Sequence, residues 1–275
     1  MRISERQYKK IRRTADRISD YCFKLAYPAR GSHFPPILIN ALPKSGSTYI
    51  SRSLGRALQV GPLSIANHGL VSTGIVNVDV LERVAAGNCV LHQHLPAEPH
   101  IVLALAAKCP RMVLNLRDPR AALVSWSYFV REFNEQHSYI FALQAVEQSL
   151  PERFFEWPDK EQLSWHVDHS LPAMIAWITR WLEVVDAGPQ GSGLTILVTE
   201  YTELVEKPEV LFRRILDFFG VDIEPGWLSI RQPKPGSWKF RAGTTKDWRA
   251  DYAPADLARA TEMLPQGWGD RFGWA

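Results

Sequence analysis

The hydrophobic positions of the chain fall into two alternating patterns. Short apolar runs occupy residues 37–42, 89–91, 111–116 and 194–198, and each is typical of a strand buried on both faces. Between them, apolar residues recur at helical spacing, most clearly in 99–108, 171–185 and 208–219. This alternation predicts an α/β fold of three layers, with a central parallel sheet flanked by helices. Ligands of such sheets bind at the carboxyl ends of the strands.

Chain length and charge indicate one domain and a basic leading segment. The 275 residues suffice for a single α/β domain, which we assign to residues 33–275. Residues 1–32 are rich in Arg and Lys, with Tyr8, Ile11 and Ile18 between them. A basic amphipathic helix can bind a membrane surface or a partner. A solvated helix packed against the domain is the favoured interpretation.

Composition narrows the functional class. The net charge of +3 suits a small anionic ligand and argues against a dedicated nucleic-acid binder. The three cysteines show no metal-ligand spacing and predict reduced thiols in a cytoplasmic protein. No run of about 18 apolar residues is present, so no membrane span is expected.

The segment after the first apolar run has the composition of a phosphate-binding turn. It reads Pro43-Lys44-Ser45-Gly46-Ser47-Thr48, and residues from Tyr49 onward have helical spacing. A glycine turn between strand and helix directs backbone N–H groups and the positive helix end at one point. Lys44 adds a charge, and Ser47 and Thr48 add hydroxyl donors. This is not the nucleotide triphosphatase loop, in which the lysine follows the second glycine.

Two histidines follow the second apolar run, in His92-Gln93-His94-Leu95-Pro96. On an extended strand, side chains two residues apart point the same way. The residues alone leave metal binding and a pair of polar strand-end residues open, and no third ligand is evident nearby.

The third apolar run leads into Arg117-Asp118-Pro119, which predicts a strand end followed by a helix. Pro119 suits the first helical turn and Asp118 suits its cap. Ser125 then lies about two turns into the helix. Spacing alone does not separate a phosphate site from a surface arginine and a serine at the core edge.

These blocks together resemble the sulfotransferases that use 3'-phosphoadenosine 5'-phosphosulfate (PAPS). The turn resembles the family's P-K-S-G-T-T-W, with Ser47 for Thr and Tyr49 for Trp. His94-Leu95-Pro96 matches the end of K-T-H-L-P, and His92 replaces the lysine. Residues 117–125 resemble R-N-P-K-D-x-x-V-S with the Arg-to-Ser spacing kept. Residues 241–249 resemble R-K-G-x-x-G-D-W-K, with Ala242 for the lysine and Lys246 for the second glycine.

The resemblance implies sulfuryl transfer from PAPS to an acceptor hydroxyl or amine, with release of 3'-phosphoadenosine 5'-phosphate (PAP). It implies that His94 is the catalytic base, that Lys44 stabilises the leaving group, and that no metal takes part. The acceptor is expected to be a small molecule or a glycan. The implied nucleotide-binding residues are Pro43, Lys44, Ser45, Gly46, Ser47, Thr48, Tyr49, Arg117, Ser125, Tyr201, Arg241 and Gly243. Tyr49 is expected to stack on adenine and Tyr201 to lie near it. Alternatives are a kinase that uses ATP and a PAP-binding protein without turnover.

Residues 131–169 are rich in aromatic and charged side chains. A mobile lid over the acceptor and an ordinary connecting segment with core aromatics are equally compatible with this composition. His166 and His169 are interpreted as part of a solvated helix face.

Overall fold

A parallel sheet forms the centre of the protein, as its alternating pattern predicts. The structure is a computed structural model that describes residues 33–60, 62–63, 78–137, 150–223 and 248–274. The described strands are β1 (Ile37–Ala41), β2 (Pro62–Leu63), β3 (Val90–Gln93), β4 (Arg111–Leu116) and β5 (Thr195–Glu200). They are ordered β2-β3-β1-β4-β5, and all pairs are parallel. The predicted basic segment 1–32 lies outside the described residues.

Helices connect the strands and cover the sheet. They are α1 (Ser47–Leu58), α2 (Val78–Ala85), α3 (Pro99–Lys108), α4 (Pro119–His137), α5 (Asp159–His169), α6 (Leu171–Ser192), α7 (Tyr201–Glu206), α8 (Pro208–Phe219), α9 (Pro254–Glu262) and α10 (Trp268–Phe272), with short 3-10 turns at Phe154–Glu156 and Trp248–Asp251. Helix α6 is longer than the pattern predicts. A non-helical residue, Gly188, interrupts it beyond the predicted 171–185, and a further helical turn continues to Ser192.

Each face of the sheet has its own hydrophobic cluster, because successive side chains of a strand point to opposite faces. Leu38, Leu91 and Leu114 belong to the cluster formed with α3, α4 and α6. Ile37, Ile39 and Val113 belong to the cluster formed with α1 and α8. The predicted three-layer α/β class is therefore confirmed. Among the helices that the structure describes, none is both long and apolar enough to cross a membrane.

Candidate active site

Four strands end at the same edge of the sheet, and each is followed by a predicted site residue. The pairs Asn40↔Gln93 and Leu116↔Glu200 bring the ends of β1 and β3, and of β4 and β5, level with each other. The residues that follow these strands lead to the 43–48 turn, His94, Arg117 and Tyr201. Sequence blocks far apart in the chain therefore meet at the carboxyl edge, where ligands of parallel sheets bind.

The 43–48 turn has a backbone suited to an anion. Lys44 (φ 69°) and Gly46 (φ 82°) both adopt left-handed conformations, and α1 begins directly after them. For a lysine this conformation is uncommon, and such residues concentrate at functional sites. Within the described residues no side chain caps α1, and its first turn holds no acidic residue. The N–H groups of a helix start can therefore meet an anion without competition from a local carboxylate.

Arg117 connects the turn to the end of β5. Its Nη1 donates to the carbonyl oxygen of Lys44 at 2.9 Å, and its guanidinium lies 4.2 Å from the ring centre of Tyr201. The Lys44 ammonium in turn lies 4.4 Å from the ring centre of Phe129. Ser125 is partly exposed and lies one helical turn before Phe129, so it shares that face of α4. The structure thus brings Lys44, Arg117 and Tyr201 together, with Ser125 on the adjoining helix face.

His94 is held in one tautomer by the end of β1. Its Nδ1 lies 2.7 Å from the carbonyl oxygen of Ala41. A carbonyl can only accept, so Nδ1 carries the proton and Nε2 keeps a lone pair. Burial lowers the pKa of His94, the Ala41 hydrogen bond opposes that change, and the nearby Lys44 charge lowers the pKa further. The imidazole is therefore neutral near pH 7, which is the form that a general base needs.

The residue after His94 is fixed from three sides. The Asn40 side chain accepts a hydrogen bond from the N–H of Leu95 at 2.7 Å and donates one to the Leu95 carbonyl oxygen at 3.1 Å. Trp177 and Trp181 of α6 donate to the same carbonyl oxygen at 2.9 and 2.8 Å. The main chain that carries His94 is consequently anchored to both β1 and the helix layer.

A second buried amide, which the sequence analysis missed, supports the turn. Asn115 donates to the carbonyl oxygen of Ser45 at 2.7 Å and accepts from the Thr199 hydroxyl at 2.9 Å. Asn115 and Asn40 are both completely buried. Each sits between buried apolar residues of its strand, where an unpaired amide would be costly. That isolated polar position is the signal that could have identified them.

The remaining predicted nucleotide-binding residues occupy different settings. Pro43 and Thr48 are partly exposed, whereas Ser45 and Ser47 are buried. Tyr49 packs edge-on against Phe212, and burial raises the pKa of its hydroxyl. Stacking of Tyr49 on adenine and the placement of Tyr201 near it stay predictions.

Arg241 and Gly243 lie outside the described residues. The chain is described again from Trp248, whose ring lies 5.1 Å from the guanidinium of the buried Arg120. Arg120 sits three positions after Arg117, and Tyr252 also donates to its carbonyl oxygen at 2.8 Å. Trp248, the first described residue of the predicted 241–249 block, is thus packed beside the helix that carries Ser125.

Residues 150–169 contribute to the core. Phe154 is buried and contacts the rings of Trp157, Trp165 and His166 at about 5.3–5.4 Å. The lid hypothesis stays a prediction, and residues 138–149 lie outside the described residues. The predicted solvated face is wrong for His166, which is completely buried, because residues 162, 163, 166 and 167 form the inward stripe of α5. His169 is exposed and stacks on Trp165 at 4.3 Å.

Comparisons with known proteins identify the family. The sequence model of the sulfotransferase domain matches residues 34–232. A search of curated protein sequences finds no match. Among solved structures, mouse sulfotransferase SULT7A1 complexed with PAP aligns with a TM-score of 0.55 at 14% identity, over 83% of this chain and 81% of that one.

Two further solved structures align less closely. A sulfotransferase domain from the curacin biosynthetic pathway gives a TM-score of 0.45 at 14% identity, over 85% of this chain and 100% of that one. The sulfotransferase domain of the Synechococcus PCC 7002 olefin synthase gives 0.44 at 15% identity, over 85% and 95%. The chain belongs to the sulfotransferase domain family and is an enzyme that transfers sulfuryl groups.

Proposed function

We propose that the enzyme transfers the sulfuryl group of PAPS to an acceptor hydroxyl, or to an amine, and releases PAP. The observation that carries this proposal is the meeting of Lys44, His94 and Arg117 at one edge of the sheet. Arg117 donates to the Lys44 carbonyl, and the Lys44 charge acts on His94. A cationic turn beside a neutral imidazole is the combination needed to bind an anionic donor and deprotonate an acceptor.

In the proposed reaction the acceptor oxygen attacks sulfur, and the bond between sulfur and the bridging phosphate oxygen breaks. The electron pair of that bond leaves with PAP. The acceptor proton passes to His94 Nε2, the ring nitrogen that does not hydrogen-bond to Ala41. Because Ala41 fixes the ring orientation, the lone pair needs no rearrangement before proton transfer.

Electrostatics supply the second part of the mechanism. Lys44 and the first turn of α1 hold the 5'-phosphosulfate and stabilise negative charge that builds on the departing oxygen. Arg117 and Ser125 bind the 3'-phosphate, since a guanidinium and a hydroxyl suit a dianion. We assign Arg241 and Gly243 to the same phosphate. The donor set needs no metal in this scheme.

The chemical class of the acceptor and the cellular compartment are also part of this proposal. A hydroxyl of a small molecule or glycan fits a base of this kind, and the protein is proposed to work in the cytoplasm. Cys89 and Cys109 are both buried.

The test is His94→Ala, assayed with labelled PAPS against a panel of acceptors. Transfer should fall by about 10²–10⁴-fold because the base is lost, while PAP binding, measured by calorimetry, survives. His169→Gln is the matched control, since that exposed histidine lies on α5, and it should keep full activity. Turnover near the unmodified rate in His94→Ala would refute the base assignment. Stabilisation by ATP with magnesium but not by PAP would favour a kinase.

A further inference from the structure

His92 bridges two hydroxyls of the helix that begins at the phosphate-binding turn. Its Nε2 lies 3.3 Å from Thr48 Oγ1, and its Nδ1 lies 3.0 Å from Ser51 Oγ. Thr48 and Ser51 are one turn apart on α1, so a single ring spans the start of the helix. The rings of His92 and His94 are 6.2 Å apart. The mechanism above gives His92 no role.

The hydroxyl protons determine how this bridge is arranged. Ser51 Oγ donates its one proton to the carbonyl oxygen of Thr48 at 3.3 Å. With that proton on the Thr48 carbonyl oxygen, Nδ1 supplies the proton of its own contact with Ser51. In a neutral ring that leaves Nε2 as an acceptor, so the Thr48 hydroxyl has to donate to it.

This arrangement turns the Thr48 proton away from any anion at the turn. If His92 gains a proton at Nε2, the direction of that hydrogen bond reverses. Nε2 then donates to Thr48 Oγ1, and the Thr48 hydroxyl can donate its own proton to a phosphate oxygen. One protonation would thus add a positive charge and release a hydrogen-bond donor at the same place.

We propose that His92 is a positioning residue whose protonation is coupled to binding of the nucleotide through Thr48. The inference rests on the proposed function, because it takes the anion at the turn to be the 5'-phosphate or phosphosulfate of the nucleotide. By linkage, if the anion binds more tightly when His92 is protonated, the protein takes up a proton at His92 as the anion binds. Affinity then increases as pH falls, by at most about tenfold per pH unit for one proton.

The ionisable groups around His92 are consistent with this coupling. Helix α1, which packs against β3, carries Tyr49, Arg52 and Arg56 and no acidic residue. The turn contributes Lys44, and β3 is followed by His94. Strands β1 and β2 contribute no ionisable side chain. These described groups are cationic or neutral and include no carboxylate.

The experiment is calorimetry of PAP binding to the full chain near pH 7, in two buffers that differ in ionisation enthalpy. The difference between them gives the protons taken up. We compare the unmodified protein with His92→Gln, which cannot titrate, and with Thr48→Val, which lacks the relay hydroxyl. PAP phosphates titrate in every sample, so their contribution cancels in the comparison. His169→Gln is the control for loss of a histidine elsewhere.

On binding PAP, the unmodified protein and His169→Gln should take up more protons than His92→Gln and Thr48→Val do. The expected difference is a fraction of a proton, up to about one. His92→Lys, which keeps a permanent charge, should bind PAP with a flatter pH dependence than the unmodified protein. Equal proton uptake in all four proteins would overturn the inference. Excess uptake that persists in Thr48→Val would overturn it too, because the coupling would not pass through Thr48. Either result leaves the proposed function intact. Failure of PAP to bind the unmodified protein would overturn the proposed function itself. If His92→Gln does not fold, the Thr48→Val comparison decides alone.

Discussion

Replacing Asn115 with alanine should loosen the phosphate-binding turn and lower the stability of the whole domain. The change removes the donor to Ser45 O at 2.7 Å and the acceptor of the Thr199 hydroxyl at 2.9 Å. Both partners lie where water cannot replace the lost bonds, since Ser45 and Thr199 are no more than 1% exposed. An orphaned buried polar group costs about 1–3 kcal/mol. The Ser45 carbonyl and the Thr199 hydroxyl, which can rotate, would both lose their partner, so the free energy of unfolding should fall by about 2–4 kcal/mol.

Urea unfolding of a double-mutant cycle checks this magnitude. Thr199→Val alone removes one donor and should cost about 1 kcal/mol, because Asn115 keeps its bond to Ser45. The variant with both substitutions should lose no more stability than Asn115→Ala, since the orphaned hydroxyl is then gone. PAP affinity should fall in both proteins that lack Asn115 and change little in Thr199→Val. Single variants within about 0.5 kcal/mol of the unmodified protein would refute the reasoning.

Three further predictions concern pH and backbone shape. In the nucleotide-free protein, the NMR titration of His94 should have its midpoint below the ordinary histidine pKa of about 6.5, because burial and the Lys44 charge lower the pKa of His94; a midpoint at or above that value would contradict the neutral imidazole that the base assignment needs. Burial lowers the pKa of His166 in the folded protein to about 3, so between about pH 6.5 and 3 the unfolded chain binds a proton at His166 that the folded protein does not. The free energy of unfolding should therefore decrease as pH falls through that range, by up to about 1.4 kcal/mol per pH unit. Acid unfolding of His166→Asn should show a flatter dependence, and equal slopes would count against this. Gly46→Ala should destabilise more than Gly220→Ala in urea, because both residues are left-handed but only at Gly46 would the added Cβ meet Leu204, at 2.6 Å; equal losses would show that the turn relaxes.

The layered sheet could be predicted because its central strands, β1 and β4, are buried on both faces. Strand β4 has the predicted bounds, 111–116, and the predicted cap is present, since Asp118 Oδ1 accepts the N–H of Arg120 at 2.9 Å. Composition and period define these elements locally, without knowledge of the neighbouring strands.

What escaped prediction depends on partners far away in sequence. Nothing local reveals that Asn40 meets Leu95, or that Phe129 lies beneath the Lys44 ammonium. His166 was placed on the wrong face because the run 159–169 has charges on several sides, and the inward stripe emerges only when α5 packs against α4 and α6. Tertiary contacts, not local preference, decide such positions.

The left-handed backbone at Lys44 affects how any amino-acid scan of the turn should be interpreted. Alanine there would remove the ammonium and, at the same time, disfavour the conformation that presents the Lys44 carbonyl to Arg117. A loss of activity would then confound charge with shape. Asparagine enters this region of backbone space more readily than alanine, so comparing the two replacements separates the electrostatic role of the side chain from the scaffolding role of its main chain.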